Sequence, residues 1–161
     1  MRDVIAGAAS GLAATVPMTL VMEALFRRLP WSERYPLPPR KVTMQAAEIL
    51  GLRDQLDEAQ RHAVTLSAHL AYGAAMGAIY SLTTRHILSG SVGGALYGLG
   101  VWAGNYLAML PTTGLHPRAA REPFERNLLM LAAHLVWGAA LGSLMDGRPK
   151  SSDRITGNHR I

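Results

Sequence analysis

The distribution of charged residues constrains the fold of this chain more than any other feature of its sequence. Four stretches of 18 to 24 residues contain no Lys, Arg, Asp or Glu, so all 16 basic and 11 acidic residues lie outside them. A helix of about 20 apolar residues is long enough to cross the hydrocarbon layer of a bilayer. The sequence therefore predicts an all-α integral membrane protein with four transmembrane helices, over Val4–Met22, Ala63–Thr84, Ile87–Leu110 and Leu128–Met145.

The second half of the chain repeats the first. Residues 69–79, HLAYGAAMGAI, recur at 134–144 as HLVWGAALGSL, with six identities in eleven positions. Upstream, Leu37-Pro-Pro-Arg40 is echoed by Leu115-His-Pro-Arg118. The pattern predicts two helix–loop–helix repeats, residues 4–82 and 90–145, which share one orientation because each contains two spans. Residues 1–145 are thus expected to form one four-helix domain, followed by a polar, basic tail over 146–161.

The repeat also predicts the topology, with both termini on one side of the membrane and both repeat loops on the other. The loops carry ten Lys and Arg residues against six on the side of the termini. Positive residues favour the cytoplasmic side, so the loops are expected there. In the longer first loop, apolar positions at helical spacing predict a short amphipathic surface helix over Lys41–Leu52. Asp54 or Asp57 then caps the helix that leads into the second span.

Small residues spaced four apart occur in every span and predict close helix packing. Such G-x-x-x-G strips let helix backbones approach each other where lipid offers no hydrophobic drive. The pattern leaves open whether the partner helix belongs to this chain or to another. The glycines are Gly7 and Gly11, Gly73 and Gly77, Gly94 and Gly98, Gly100 and Gly104, and Gly138 and Gly142.

Two further features concern the course and the depth of the spans. Pro17 lies inside the first span, where it removes one backbone donor and crowds the carbonyl of Ala13, so we expect a kink. The hydroxyls of Thr15 and Thr19 are expected to satisfy the freed carbonyl.

Four arginines are predicted to be interfacial anchors at the ends of the spans, namely Arg40, Arg61, Arg118 and Arg126.

His69 and His134 are the strongest candidates for a functional pair. Each lies eight residues after an arginine and four residues before a glycine strip, so both are predicted at the same depth in packed interfaces. The sequence leaves three roles open for this pair. In the first, the imidazoles form structural hydrogen bonds across the bundle. In the second they serve a proton or solute path, and in the third they bind one haem axially. The neighbouring Tyr72 and Trp137 are expected to be packing partners.

Several classes of function are disfavoured by what the sequence lacks. It has no Cys, and hence no disulfide or thiolate metal site, and no metal site is predicted. No motif of a hydrolase, metalloprotease or nucleotide-binding enzyme is found, so a non-catalytic protein is expected. The pI near 10.1 reflects basic residues beside membrane spans, which meet lipid headgroups rather than nucleic acid. No cofactor is predicted, with haem b as the one alternative.

A set of motifs spread over most of the chain carries a family resemblance. They are Gly94-Ala-Leu-Tyr-Gly-Leu-Gly-Val-Trp102, then Met109, Pro111 and Gly114, then Glu122-Pro-Phe-Glu125 and Ala133-His-Leu-Val-Trp-Gly138, together with Leu37-Pro-Pro-Arg40, His69 and Ala78-Ile-Tyr80. The set resembles the YagU-like family of bacterial inner-membrane proteins, and the motif around His134 is its most specific part. The resemblance implies a small multispanning protein of the bacterial cytoplasmic membrane. It transfers no catalytic residue, because the biochemical function of that family is not established.

The glycine strips and the missing catalytic groups together favour helix contact over chemistry. The sequence therefore predicts an accessory or scaffold subunit whose partners are the lipid bilayer and other transmembrane helices, in a homo-oligomer or a larger bioenergetic complex. A small proton or solute transport protein that uses the histidine pair is the first alternative. A bis-histidine haem protein for electron transfer is the second.

Overall fold

A computed structural model of the chain describes residues 1–109 and 122–147, and every regular element in this part is helical. The prediction of an all-α protein is confirmed to that extent. The predicted loop up to residue 121, including Arg118, and the tail from residue 148 lie outside the described residues. The five α-helices are α1 (Arg2–Phe26), α2 (Pro38–Ile49), α3 (Glu58–Leu82), α4 (Gly90–Ala103) and α5 (Phe124–Asp146).

Judged by length and composition alone, helices α1 and α5 are long and apolar enough to cross a membrane. Helix α3 has 25 residues but is less apolar, and the α-helical part of α4 has 14. The third predicted span begins late because the chain first makes a short 3₁₀ turn at Thr84–His86, and Gly90 then adopts a φ of 73°. A π-helix, Gly104–Met109, continues α4 at its other end.

The surface helix begins three residues earlier than predicted. Helix α2 starts at Pro38, since a proline in the first turn lacks only an N–H that would find no partner there. The helix ends at Ile49, and Gly51, two residues later, has a φ of 69° and reverses the chain in the left-handed conformation. The predicted cap of the next helix is confirmed at Asp57, whose carboxylate accepts from the Gln60 N–H at 2.8 Å.

Helix α1 continues through Pro17, and the two threonines beside it bond to other carbonyls than predicted. The Thr15 hydroxyl donates to the Gly11 carbonyl at 2.9 Å, and that of Thr19 donates to the Thr15 carbonyl at 2.7 Å. A threonine in a helix reaches the carbonyl four residues back, and neither threonine stands four residues after Ala13. The expectation that they satisfy the Ala13 carbonyl was therefore wrong.

Glycines hold the bundle together in two helix pairs. On α1 and α3, a Cβ at Gly77 would overlap the carbonyl oxygen of Gly7. On α4 and α5, a Cβ at Gly138 would overlap the carbonyl oxygen of Gly94. The glycines in these contacts within the chain are Gly7, Gly11, Gly73, Gly77, Gly94, Gly98, Gly138 and Gly142.

Two of the predicted packing glycines do not fit this pattern. A Cβ at Gly100 or Gly104 would meet no atom of the described residues within 4 Å. Gly100 and Gly104 lie two and six residues after Gly98, so neither continues the four-residue spacing that faces α5. The prediction that they pack a helix left open a helix of another chain, and for these two positions it stays untested.

The four long helices, α1, α3, α4 and α5, are not arranged as a symmetrical ring. Helix α1 packs along both α3 and α5, and α5 packs along α4. Helices α3 and α4 meet through long aromatic side chains. The rings of Tyr80 and Tyr97 lie 5.1 Å apart, and the Tyr97 hydroxyl donates to the Met76 carbonyl at 2.8 Å.

Buried arginines tie the helices together at each end of the bundle. Arg85 donates to the Met145 carbonyl at 2.8 Å and lies 3.9 Å from Asp3, so the α3–α4 turn meets the start of α1 and the end of α5. At the opposite end, Arg126 donates to Glu122 at 2.9 Å and to backbone carbonyls of the α1–α2 loop. Its guanidinium lies 3.6 Å from the centre of the Tyr35 ring. Arg126 thus fixes this loop against α5, a role that its prediction as an interfacial anchor did not include.

Replacement of Gly138 by alanine should weaken the α4–α5 contact, because the new methyl group meets backbone and neither helix can yield locally. We expect Gly138→Ala to lower the free energy of unfolding in detergent by about 1–3 kcal/mol. The matched control is Gly100→Ala, which has open space and the better helix propensity of alanine, so stability should stay constant or rise by up to about 1 kcal/mol. Equal destabilisation by both changes would contradict the packing described here.

Two Glu–Arg pairs with the same i, i+4 spacing differ in burial and should differ in energy. Arg126→Gln removes the buried counter-charge of Glu122 and the donor to three carbonyls, in a site where both side chains are less than 10% exposed, so stability should fall by about 3–5 kcal/mol. Arg27→Gln removes the exposed pair with Glu23 and should change stability by less than about 1 kcal/mol. Thermal and denaturant unfolding of both variants measures the difference, and comparable losses would argue against the clamp.

Candidate functional site: a histidine-lined cavity

A cavity of about 280 Å³ lies inside the bundle, between the four long helices and α2. It occupies the half of the bundle that faces the α1–α2 loop, while most glycine contacts lie in the other half. Helix α2 covers it with Pro38, Pro39, Val42 and Thr43. The remaining lining residues are Thr15, Met18, Ala68, His69, Tyr72, Gly73, Met76, Val101, Asn105, Tyr106, Met130, His134 and Trp137.

Both predicted histidines line this one cavity. The ring of His134 is buried, and its Nδ1 lies 2.7 Å from the carbonyl oxygen of Met130 in its own helix. Because a carbonyl can only accept, Nδ1 carries the proton, and the neutral ring keeps an acceptor lone pair on Nε2. The edge of the His134 ring faces the ring of Tyr106, with centroids 6.5 Å apart.

Neither histidine makes the hydrogen bond across the bundle that the structural reading requires. His134 bonds within α5, and His69 forms no hydrogen bond with any residue of the described part. His69 is partly exposed, on the side where α3 and α4 are held apart. The pair therefore presents nitrogen atoms to a cavity instead of joining two helices.

Trp137 lines the cavity towards the glycine-packed half, and two further aromatic side chains stand behind it. Trp137 lies 6.0 Å from Tyr97, which in turn contacts Tyr80. The Trp137 indole donates to the Gly11 carbonyl at 3.1 Å, so it also joins α5 to α1. The sequence predicted Trp137 as a packing partner only, and its hydrogen bond to a helix carbonyl was missed.

Tyr72 and Asn105 close the wall between α3 and the end of α4. The Tyr72 hydroxyl donates to Asn105 Oδ1 at 2.8 Å. Asn105 and Tyr106 both line the cavity and lie in the π-helix that follows α4. The lining by Pro38 and Pro39 was also missed, although the Leu-Pro-Pro-Arg motif marked that segment.

The cavity does not favour a haem between the histidines. Its volume of about 280 Å³ is at the lower end of ligand pockets, roughly 300–1,000 Å³, and is less than a porphyrin with its substituents requires. Within residues 1–109 and 122–147, no group of three or more His, Asp or Glu side chains could hold a metal ion. The site suits a small organic molecule better than either.

Outside the bundle interior, two ionisable groups have shifted pKa values. A hydrogen bond from the Arg40 guanidinium at 2.6 Å lowers the pKa of the Glu58 carboxyl below its ordinary value. Burial, together with its hydrogen bond to Glu122, raises the pKa of Tyr35. Arg40 and Arg61, two of the predicted anchors, lie where α2 approaches the start of α3 and do not reach the cavity.

Comparisons with protein-family models, with curated protein sequences and with solved structures found no match to this chain. The resemblance to the YagU-like family therefore stays a prediction from sequence motifs.

Proposed function

We propose that this chain is a four-span protein of the bacterial cytoplasmic membrane that binds a small solute in the histidine-lined cavity. The observation that carries the proposal is the position of His69 and His134. They line one cavity, and neither is used for a bond between helices. A concave, largely apolar pocket with a few convergent polar groups is typical of small-molecule sites.

The surfaces of the four long helices support the membrane location. Each helix exposes large apolar side chains, which in water would form an unfavourable surface but in lipid would be solvated. Of the polar side chains that make α3 less apolar, His69 and Tyr72 line the cavity. Glu58, Gln60, Arg61 and His62 lie in the first turns of α3, before the proposed span. The exposed residues are Ile5, Leu12, Val16 and Leu20 on α1, Val64, Leu66, Ile79 and Leu82 on α3, Val92 and Leu96 on α4, and Leu128, Leu135 and Leu144 on α5.

The glycine contacts support two repeats of the same orientation. The glycine-rich starts of the first and third spans align Gly7 with Gly94 in sequence, but the contacts give a register that differs from this alignment by one turn. A Cβ at Gly94 would meet the Gly138 carbonyl and the backbone of Gly142. The position on α1 with the corresponding contacts, to the Gly73 carbonyl and to Gly77, is Gly11. We therefore align Gly94 with Gly11 and not with Gly7.

The chemistry of the lining indicates the kind of solute. Most of the wall is apolar and includes three methionines, whose flexible side chains adapt to different shapes. His134 Nε2 offers an acceptor, since the proton of the neutral ring is on Nδ1. A small apolar molecule with one hydroxyl group fits these requirements. Trp137 and the two aromatic side chains behind it close the cavity on one side, which favours a binding step over an open proton path.

The accessory-subunit prediction remains untested, but the structure removes its main support. It was based on the glycine strips, and eight of the ten glycines are used for contacts inside the chain. Substitution of Gly73, Gly98 or Gly138 would therefore disrupt this bundle itself. The loss of a partner protein in such a variant could not show that the glycine contacts that partner.

The proposed topology places the turn at Arg53–Gln55 and the C-terminus on opposite sides of the membrane. Reporters that are active on only one side, one inserted near Arg53 and one fused after Ile161, should give opposite signals in bacterial cells. A second fusion within Thr84–His86 should match the one at the C-terminus, because four spans return the chain to its starting side. Equal signals at Arg53 and Ile161 would refute the four-span arrangement.

The proposed solute chemistry can be tested with phenol and its methyl ether, anisole, which differ in the hydroxyl donor. We expect phenol to bind the purified protein about fivefold more tightly than anisole, since one hydrogen bond contributes roughly 1 kcal/mol. Calorimetric titration in detergent measures both constants. In His134→Phe the preference for phenol should disappear.

The matched control for this titration is His62→Phe, because His62 is an exposed histidine at the start of α3 and lies outside the cavity. It should keep the preference for phenol. If phenol and anisole bind the wild type equally, or if both variants behave alike, the cavity does not recognise a hydroxyl through His134 and the proposal fails.

A further inference from the structure

A second concave site lies outside the bundle, where α2 and the turn after it meet the start of α3. This groove has a volume of about 680 Å³ and is separate from the histidine cavity. Four basic side chains line it, from Arg40, Lys41, Arg53 and Arg61. Glu48 is the acidic residue among its lining.

The charges in the groove do not cancel. Glu48 pairs with Arg53 at 2.5 Å, and Glu58, just outside, pairs with Arg40 at 2.6 Å. Lys41 and Arg61 form no ion pair with a carboxylate of the described residues, and the Lys41 ammonium lies 4.7 Å from the centre of the Tyr35 ring. Two positive charges therefore remain uncompensated.

Arg61 also has unused hydrogen-bonding capacity. Its Nη2 donates to the Arg53 carbonyl at 3.1 Å, but its Nε is buried and finds no acceptor in the described part of the chain. An N–H without a partner is unfavourable, and a guanidinium prefers an oxyanion that accepts two bonds at once. This atom points to a ligand with phosphate or carboxylate oxygens.

Apolar side chains stand beside the cations. Ile49, Leu50 and Leu52, at the end of α2, are 76%, 70% and 46% exposed. Adjacent basic and exposed apolar groups on an amphipathic helix are typical of segments that lie in the headgroup region of a membrane. A soluble anion would bind the cations but would make no contact with these three apolar side chains.

We propose that the groove binds the phosphate of an anionic phospholipid, with the acyl chain against Ile49, Leu50 and Leu52. Lys41 and Arg61 supply the net charge, and Arg61 supplies the donor that lacks a partner. The inference depends on the proposed membrane location and is independent of the solute in the histidine cavity.

Binding can be measured on the full chain in detergent by native mass spectrometry, with phosphatidylglycerol and phosphatidylcholine of identical acyl chains. Phosphatidylglycerol should bind at least about tenfold more tightly than phosphatidylcholine, because each uncompensated cation near the headgroup adds to its affinity. The double variant Lys41→Gln with Arg61→Gln should lose this preference. The matched control is Arg27→Gln with Arg28→Gln, which removes two exposed charges at the same end of the bundle and should keep it.

Three results would overturn the assignment. Equal loss of preference in both double variants would mean that net charge alone attracts the lipid. Displacement of the lipid by millimolar inorganic phosphate would mean that the groove recognises a soluble anion. An unchanged preference in the groove variant, with its fold verified by thermal unfolding, would place the lipid elsewhere. Failure of the topology reporters would refute the proposed function separately, since the lipid assay in detergent does not depend on the number of spans.

Discussion

Glycine lets the carbonyl oxygen of one helix occupy the space where another residue would carry its side chain, and two helix pairs of this chain depend on that contact. Gly7 meets Gly77 between α1 and α3, and Gly94 meets Gly138 between α4 and α5. Close backbone approach over several turns gives extensive van der Waals contact without large side chains. The same feature fixes the distance between the helices, so the volume left between the two pairs is set by the backbones.

The cavity follows from how the two pairs are joined. Helices α1 and α5 pack directly, whereas α3 and α4 are held apart by Tyr80 and Tyr97. The aromatic rings fill the gap in the glycine-packed half, and the gap stays open beyond them. There His134 and Thr15 bond to carbonyls of their own helices and both line the cavity. The bundle therefore combines a glycine-packed half and an open half in one set of helices.

The sequence predicted the helical class and Asp57 as one of two candidate caps, and it singled out the two histidines that line one cavity. These follow from charge distribution and residue spacing, which act locally. The extent of α2 and the register of the two glycine strips were not predicted, because each depends on tertiary packing. The π-helical turn that carries Asn105 and Tyr106 was not predicted either, since period-based reasoning treats it as regular helix. The buried role of Arg126 also required the folded loop, because three of its acceptors are backbone carbonyls 90 to 93 residues away.

The hydrogen bonds of Arg126 restrict how a molecule could reach the cavity. They hold the loop before α2, and the Arg40–Glu58 pair holds α2 to α3, so the cover over the cavity is fastened on both sides. The opposite end is closed by aromatic rings. In a bilayer, the remaining route runs sideways from the hydrocarbon layer between α3 and α4, where the hydrogen bond between Tyr72 and Asn105 would have to open. Occupancy of the cavity would then follow the partition coefficient of a solute into lipid, and a molecule that stays in water would be excluded however well it matched the histidines.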